Sequence, residues 1–451
     1  MTHFPGPEQP SRVTPDPVVE QLPGAPAGAG TVRRAIRTVA VDVSPLRDFR
    51  EFRLLFIGQA VSFGGTMITY VAVPFQAYAL SHSSLVVGLV SLAELVPILV
   101  MSFVGGALAD AVDRRRMVRI TEGTQCTITG LLLVNAALPH PQLWVLFVAV
   151  AAAAATDSLQ RPSLDALVPR IVPADRLTAA AALEGLRGNL GHVIGPPIAG
   201  VLIATAGLPV TFGVAMATYL VSLTALSFMK AVPPPPGADR VSLRGMLAGV
   251  RYAAGRKDLL GSYLIDMNAM FFGTPMALFP QIASGFGGAA VLGVLYTGPA
   301  VGSLLASLTS GWTRLVRHHG RAIACAAAAW GVAIIGFGFA PTLWLAFITL
   351  IAAGAADMVS GIFRGTMWNQ TIPDAMRGRL AGIEMISYTS GPALGDVESG
   401  VVGALAGVRA SVVSGGILCV AGTVVLCGLL PTFWAYRSNA GSEQEVDPGA
   451  R

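Results

Sequence analysis

Apolar residues come in long runs along this chain, broken by short polar turns. Runs at 52–79, 84–109, 117–138, 142–167, 178–205, 208–230, 258–284, 289–313, 321–340, 342–370, 379–406 and 410–435 predict twelve spanning helices. Each run approaches or exceeds the roughly 20 residues that a helix needs to cross a bilayer core. The turns between them sort by charge. "SHSS" (81–84), "PHPQ" (139–142), Gly207-Leu208-Pro209, "SGFGG" (284–288) and Ala340-Pro341 carry no Lys or Arg, and the last turn of that set carries only Arg409. The alternate connections carry Arg114, Arg115, Arg116, Arg119, Arg170, Arg176, Arg240, Arg244, Arg256, Lys257, Arg314, Arg317, Arg377 and Arg379. Excess Lys and Arg marks cytoplasmic loops. The expected fold class is therefore an all-α polytopic membrane protein with both termini in the cytoplasm.

The longest internal connection divides the spans into two groups of six. Its Pro233 to Pro236 make a stiff spacer, and Ser242 to Gly255 reads as a basic amphipathic helix on the inner leaflet. The expected organisation is a disordered tail over 1–48, a six-helix bundle over 49–230, a cytoplasmic linker over 231–257, a second bundle over 258–436 and a tail over 437–451. The halves also match at an offset of 200 residues. Asp157 pairs with Asp357, Pro173 with Pro373, Glu184 with Glu384, and Gly191, Gly195 and Gly200 with Gly391, Gly395 and Gly400. "PFQ" (74–76) has a permuted counterpart in "FPQ" (279–281). A duplicated six-helix unit is a common transporter build, with its site between the repeats near mid-membrane.

Composition agrees with the pattern. Of the 451 residues, 53% are hydrophobic and 12% charged, against roughly 25% charged in a soluble domain. The net charge of +5 then reports orientation, not nucleic-acid binding. Cys126, Cys325, Cys419 and Cys427 lie in apolar segments without ligand spacing, so no metal or other cofactor is expected. The first 45 residues lack the apolar core of a signal peptide.

Charged side chains at a helix centre cost about 2.5–3.5 kcal/mol on insertion scales and normally face protein or water. Glu94, Asp157, Arg161, Glu184, Arg187, Asp357, Arg364, Glu384, Asp396 and Glu398 fall within the predicted spans. Asp157, Arg161 and Asp165 share one helix face, and Glu184 can pair with Arg187. Asp165, Arg187 and Arg364 lie toward the basic ends, where a structural part, as interhelical latches or snorkelling groups, weighs as much as a functional one. Glu94 and Asp157 lie deeper and are the first candidates for proton coupling, with Arg161 favouring the charged carboxylate; Glu184, Asp357 and Glu384 follow. Gln59, Ser62, Thr66, Thr69 and Gln76 form a polar stripe on the first span. It either lines a cavity or bonds to packed helices. Tyr70 and Tyr388, with other aromatics, suit a cavity wall. His192 suits either proton relay or packing.

Three stretches resemble the major facilitator superfamily. "GGALADAVDRRRMV" (105–118) is similar to its Gly-x-x-x-Asp loop with a basic cluster, placing Gly106, Asp110, Arg114 and Arg115 at a cytoplasmic gate. There the carboxylate can cap a neighbouring helix and the arginines can pair with an acid such as Asp165. Ala111 and Asp113 depart from the pattern. "GHVIGPPIAG" (191–200) resembles the antiporter signature, carried by Gly191, Gly195, Pro196, Pro197 and Gly200, with Ala199 as a departure. "FRGTMWNQTIPDAMRGRLAGIEMISYTSGPALGD" (363–396) and "LGVLYTGPAVGSLLASLTSG" (292–311) resemble the enterobactin-exporter and multidrug-exporter branch. The resemblance implies a monomeric exporter of the bacterial inner membrane, exchanging a small amphiphilic molecule for protons by alternating access. A proton-coupled importer on the same fold and an integral-membrane transferase are the alternatives.

Overall fold

The computed structural model describes residues 42–111, 113–230, 255–372 and 374–438, giving the backbone alone at 102–111 and 374–387. Both expected tails, apart from their inner edges, and the linker with its amphipathic segment lie outside the described residues. Every regular element among the described residues is helical. Those of eight residues or more are α1 (Arg50–Ser81), α2 (Ser84–Ala111), α3 (Arg114–Ala137), α4 (Leu143–Ile171), α5 (Leu177–Ser227), α6 (Lys257–Gly273), α7 (Phe279–Phe286), α8 (Ala289–Leu308), α9 (His319–Gly338), α10 (Leu343–Thr371), α11 (Asp374–Ala406) and α12 (Val408–Leu429). Among the described residues, eight helices are long and apolar enough to cross a membrane.

Local chemistry sets the boundaries. Asp113 caps α3 by accepting from the Arg116 N–H at 2.9 Å, satisfying one of the orphan donors of a helix start. The fifth and sixth predicted spans run on as α5, turned only at Gly207. Its φ of 81° suits a residue without Cβ. The seventh predicted span is discontinuous. After Gly273 the chain is extended at Thr274, and a 3₁₀ turn at Met276–Leu278 leads into α7. Pro275 and Pro280 have no N–H to continue the ladder. Trp330 Nε1 donates to the freed Gly273 carbonyl at 2.9 Å, which makes the break tolerable.

In the first half, α1 lies along α5, α3 packs on α4 and α5, and α2 on α4; in the second, α8 and α9 pack on α10, and α6 on α11 and α12. The halves join through two helix pairs, α2 with α11 and α5 with α8. Both crossings use glycine in the same way. A Cβ added at Gly88 would strike the main chain of Asp396 and Val397, and one at Gly293 the main chain of Pro196 and Pro197. Positions 196 and 197 become 396 and 397 at the repeat offset. On the facing helices, an added Cβ would lie 2.7 Å from the Ala289 oxygen at Gly200 and 2.8 Å from the Ser84 oxygen at Gly400. Without water to expel, helices in a membrane associate largely by such close packing. Both crossings lie toward the charge-poor turns, where Ser84 Oγ also donates to Gln281 Oε1 at 2.6 Å.

Gly88→Val should force α2 from α11 at a cost of about 1–3 kcal/mol, the usual range for overpacking. Oxidative cross-linking of Ser84→Cys to Gln281→Cys should fall in that background. Gly64→Val, where an added Cβ meets nothing within 4 Å, should leave it unchanged. Equal yields in both would remove the crossing as the fastening.

Candidate functional site

At the middle of α4, Asp157 accepts from Arg161 Nε at 2.8 Å across one helical turn. The pair is wetted, with side chains 48% and 58% exposed. Charges at this depth do not face hydrocarbon cheaply, and their neighbours lie inside the protein. Tyr388 and Asp165 act electrostatically on Arg161, and Arg161 on His192. The wetted face therefore borders an internal cavity. Tyr70 reaches the same space from α1, 42% exposed although helices surround it. Its ring meets Tyr296 edge to face at 5.1 Å, and its hydroxyl donates to Met276 Sδ at 3.2 Å. Both contacts cross from one half to the other. Tyr388, from α11, is also exposed.

Nearer the charge-poor end, buried Asp396 joins three elements. It accepts from Ser91 Oγ of α2 at 2.7 Å and from the Ala277 N–H at 3.0 Å. That N–H is an orphan donor in the break between α6 and α7, so the carboxylate sits where helix starts favour anions. Glu94 is one turn from Ser91 on α2, half-buried, and within the electrostatic reach of both Asp396 and Asp157. Glu94, Asp157, Tyr70 and Tyr388 thus belong to one region between the halves.

Other expected site residues lie elsewhere. Gln59 and Ser62 do not line the cavity: they are buried and donate to Glu122 Oε1 of α3 at 2.7 and 3.1 Å. Thr66 bonds the Ser62 carbonyl and Tyr219, Thr69 bonds the Gly65 carbonyl, and Gln76 is buried. Gln59 and Ser62 thus follow the alternative of packed helices, meeting Glu122 of the facing helix. Among the described residues, the gate arginines bond to main-chain oxygens and not to Asp165. Arg114 Nη1 donates to the Ala166 carbonyl at 2.9 Å, and Arg115 to the carbonyls of Leu226 and Ser227 at 3.0 and 2.7 Å. Those last carbonyls close α5, where helix geometry leaves acceptors unpaired and the dipole favours a cation. Asp165 is exposed. The side chains of Asp110 and Glu384, and whatever surrounds Gly106, lie outside the described residues.

Glu184 pairs with Arg187 at 2.8 Å. Arg364 does not snorkel. It is buried in an ion pair with Asp266 of α6, and Asp357 stands 3.8 Å from its other nitrogen. Within the antiporter motif, Gly191 faces Phe63 and Gly195 faces Met67, both of α1. His192 packs edge-on against Phe63 at 5.3 Å. Gly200, Pro196 and Pro197 form the crossing with α8.

Two buried acids escaped the sequence reading. Glu122 stands three residues from Arg119 and looks like part of the basic loop. Asp266 lies alone in the seventh apolar run, with its partner nearly a hundred residues away. Arg119 stands at helical spacing from Glu122 but is exposed, and Asp266 has no base one turn away. An acid inside an apolar run was the available signal.

A family model described as transmembrane secretion effector matches residues 40–446. The chain is 31% identical over 398 residues to the enterobactin exporter EntS of Shigella boydii serotype 4 (strain Sb227), covering 86% of this chain and 94% of that one. A POT family transporter solved in complex with 5-aminolevulinic acid superposes with a TM-score of 0.68 at 13% identity, covering 85% of this chain and 97% of its own. The nucleoside transporter NupG gives 0.65 at 15%, covering 86% and 98%. At such identities the solved structures speak for the fold. Family match, fold and a wetted polar region between two helical halves converge: the chain belongs to the transmembrane secretion effector family of the major facilitator superfamily, a group of membrane transporters and not enzymes.

Proposed function

We propose that this chain is a monomeric exporter of the bacterial inner membrane, moving a small amphiphilic molecule outward in exchange for protons. The observation that carries the reading is the wetted Asp157–Arg161 pair at the centre of α4, facing the space between the halves. The family relationship supports export, and the enterobactin exporter as a relative favours a siderophore or drug-like cargo. Twelve spans in two bundles, 49–230 and 258–436, with both termini inside, fit the charge pattern of the turns.

In this reading the charge-poor end is external. The crossings at Gly88, Gly200, Gly293 and Gly400 hold it shut, and the cavity is reached from the cytoplasm or inner leaflet. Cargo settles against Tyr70 and Tyr388 beside the charged pair. Rocking of the halves then separates α2 from α11, breaks the Ser91 bond to Asp396 while the Ala277 bond within the second half is kept, and opens the outer side. The loop with Gly106, Asp110, Arg114 and Arg115 forms the cytoplasmic gate, and Arg115 ties it to the end of α5. One proton crossing 100 mV supplies about 2.3 kcal/mol. Coupling requires the proton to bind one conformation more tightly than the other. Asp157 is the first candidate, exchanging its bond to Arg161 for a proton, and Glu94 the second. Glu184, Asp357 and Glu384 follow as further candidates.

Two measurements bear on this. Asp157→Asn and Glu94→Gln together should slow catecholate secretion by a host lacking its own siderophore exporter. The expected fall is at least about tenfold, or ~1.4 kcal/mol in the rate-limiting step. Normal secretion by the double variant ends the assignment of those acids, whereas absent secretion by the parent chain rejects the cargo. In a cysteine-free background, His82→Cys should react with an impermeant maleimide in intact spheroplasts. Arg317→Cys should react only after permeabilisation, and the reverse pattern would invert the topology.

A further inference from the structure

Glu122 of α3 takes no part in the cycle just described. It is 1% exposed, and every donor that meets it is neutral. Gln59 Nε2 donates at 2.7 Å, Gln160 Nε2 at 2.9 Å and Ser62 Oγ at 3.1 Å, all to Oε1. Oε2 is buried without a partner, and so is Ser222 Oγ, which faces the carboxyl from the second arm of α5. A buried carboxylate normally carries a cation or several donors on both oxygens.

Among the described residues no cation pairs with it, and Arg119, one turn earlier on α3, is exposed. On α5, Arg187 reaches only the Gln59 main-chain oxygen, at 3.2 Å, and is already paired with Glu184. On α4, Arg161 is paired with Asp157. The other titratable groups that feel Glu122 are Cys126 on α3 and Tyr219 on α5, the latter bonded to Thr66. A Ser222 hydroxyl turned toward Oε2 would satisfy both orphans but leave the charge buried, whereas one proton on Oε2 satisfies them and removes the charge. The O–H donates to Ser222 Oγ, while Oε1 keeps its three donors and the site becomes neutral.

We propose that Glu122 is a proton-binding site within the first bundle, holding a proton in this conformation through donation from Oε2 to Ser222. The site ties α1, α3, α4 and α5 together through one carboxylic acid. Removing its proton leaves a buried charge that a turn of the Ser222 hydroxyl, a rearrangement of Gln59 and Gln160 or an approaching cation must compensate. This inference is independent of the cargo and of the direction of transport.

Infrared difference spectroscopy of the full-length protein in lipid bilayers, titrated from about pH 5 to 9, tests it. The neutral acid should give a carboxylic C=O band that disappears completely in Glu122→Gln. Ser222→Ala should keep that band but displace it, because a C=O frequency senses the hydrogen bond its own O–H donates. Retention of every carboxylic band in Glu122→Gln would overturn the proposal, as would a Glu122 band unmoved by Ser222→Ala. Should the glutamine variant fail to fold, the Ser222→Ala displacement decides the matter on its own.

Discussion

Hydrocarbon offers no hydrogen bonds, and that constraint sorts the charged side chains of this protein. A charge placed in the apolar layer must find partners within the protein or reach water through it. Asp266 with Arg364, and Asp396 with Ser91 and Ala277, take the first course. Asp157 and Arg161 take the second, remaining wetted at the centre of a span. The partition locates the cavity. Side chains that stay wet despite surrounding helices trace the space between the halves, and buried pairs trace the packing that frames it.

The internal duplication extends to the backbone contacts. Gly88 stands to Asp396 and Val397 as Gly293 stands to Pro196 and Pro197. The two halves therefore meet through equivalent surfaces, although the side chains at positions 196 and 396 have entirely different chemistry. On one side proline supplies only shape. On the other, aspartate accepts one hydrogen bond across the joint, from Ser91, and a second one within its own half. A symmetric scaffold thus carries an asymmetric set of polar fastenings, the arrangement from which a directional cycle can be built.

Much of this was legible in the sequence, and the exceptions have physical causes. Apolar runs and charged turns anticipated the helices, because length and polarity are local properties. Glu184 with Arg187, and Asp157 with Arg161, were visible because helical spacing places partners three or four residues apart. The polar stripe of α1 was visible as a stripe, but its orientation depended on Glu122, a residue of another helix. Asp266 and Arg364 were hidden likewise by sequence separation. Arg114 and Arg115 bind carbonyls, acceptors that every residue carries and no motif marks. The break near Thr274 lay beneath an unbroken apolar run, where only Pro275 and Pro280 hinted at it.

The corner at Gly207 has a mechanical meaning. It joins the two arms of α5 with no loop between them, and the Thr211 hydroxyl bonds back to the Gly207 carbonyl at 2.8 Å. One arm forms the crossing with α8, while the other lies on α3, where Met216 accepts from Cys126 Sγ at 3.9 Å. A corner without slack cannot absorb displacement. Any travel of the first arm along α8 is handed to the second, so a joint on one edge of the bundle is geared to the helix that holds Glu122 within it.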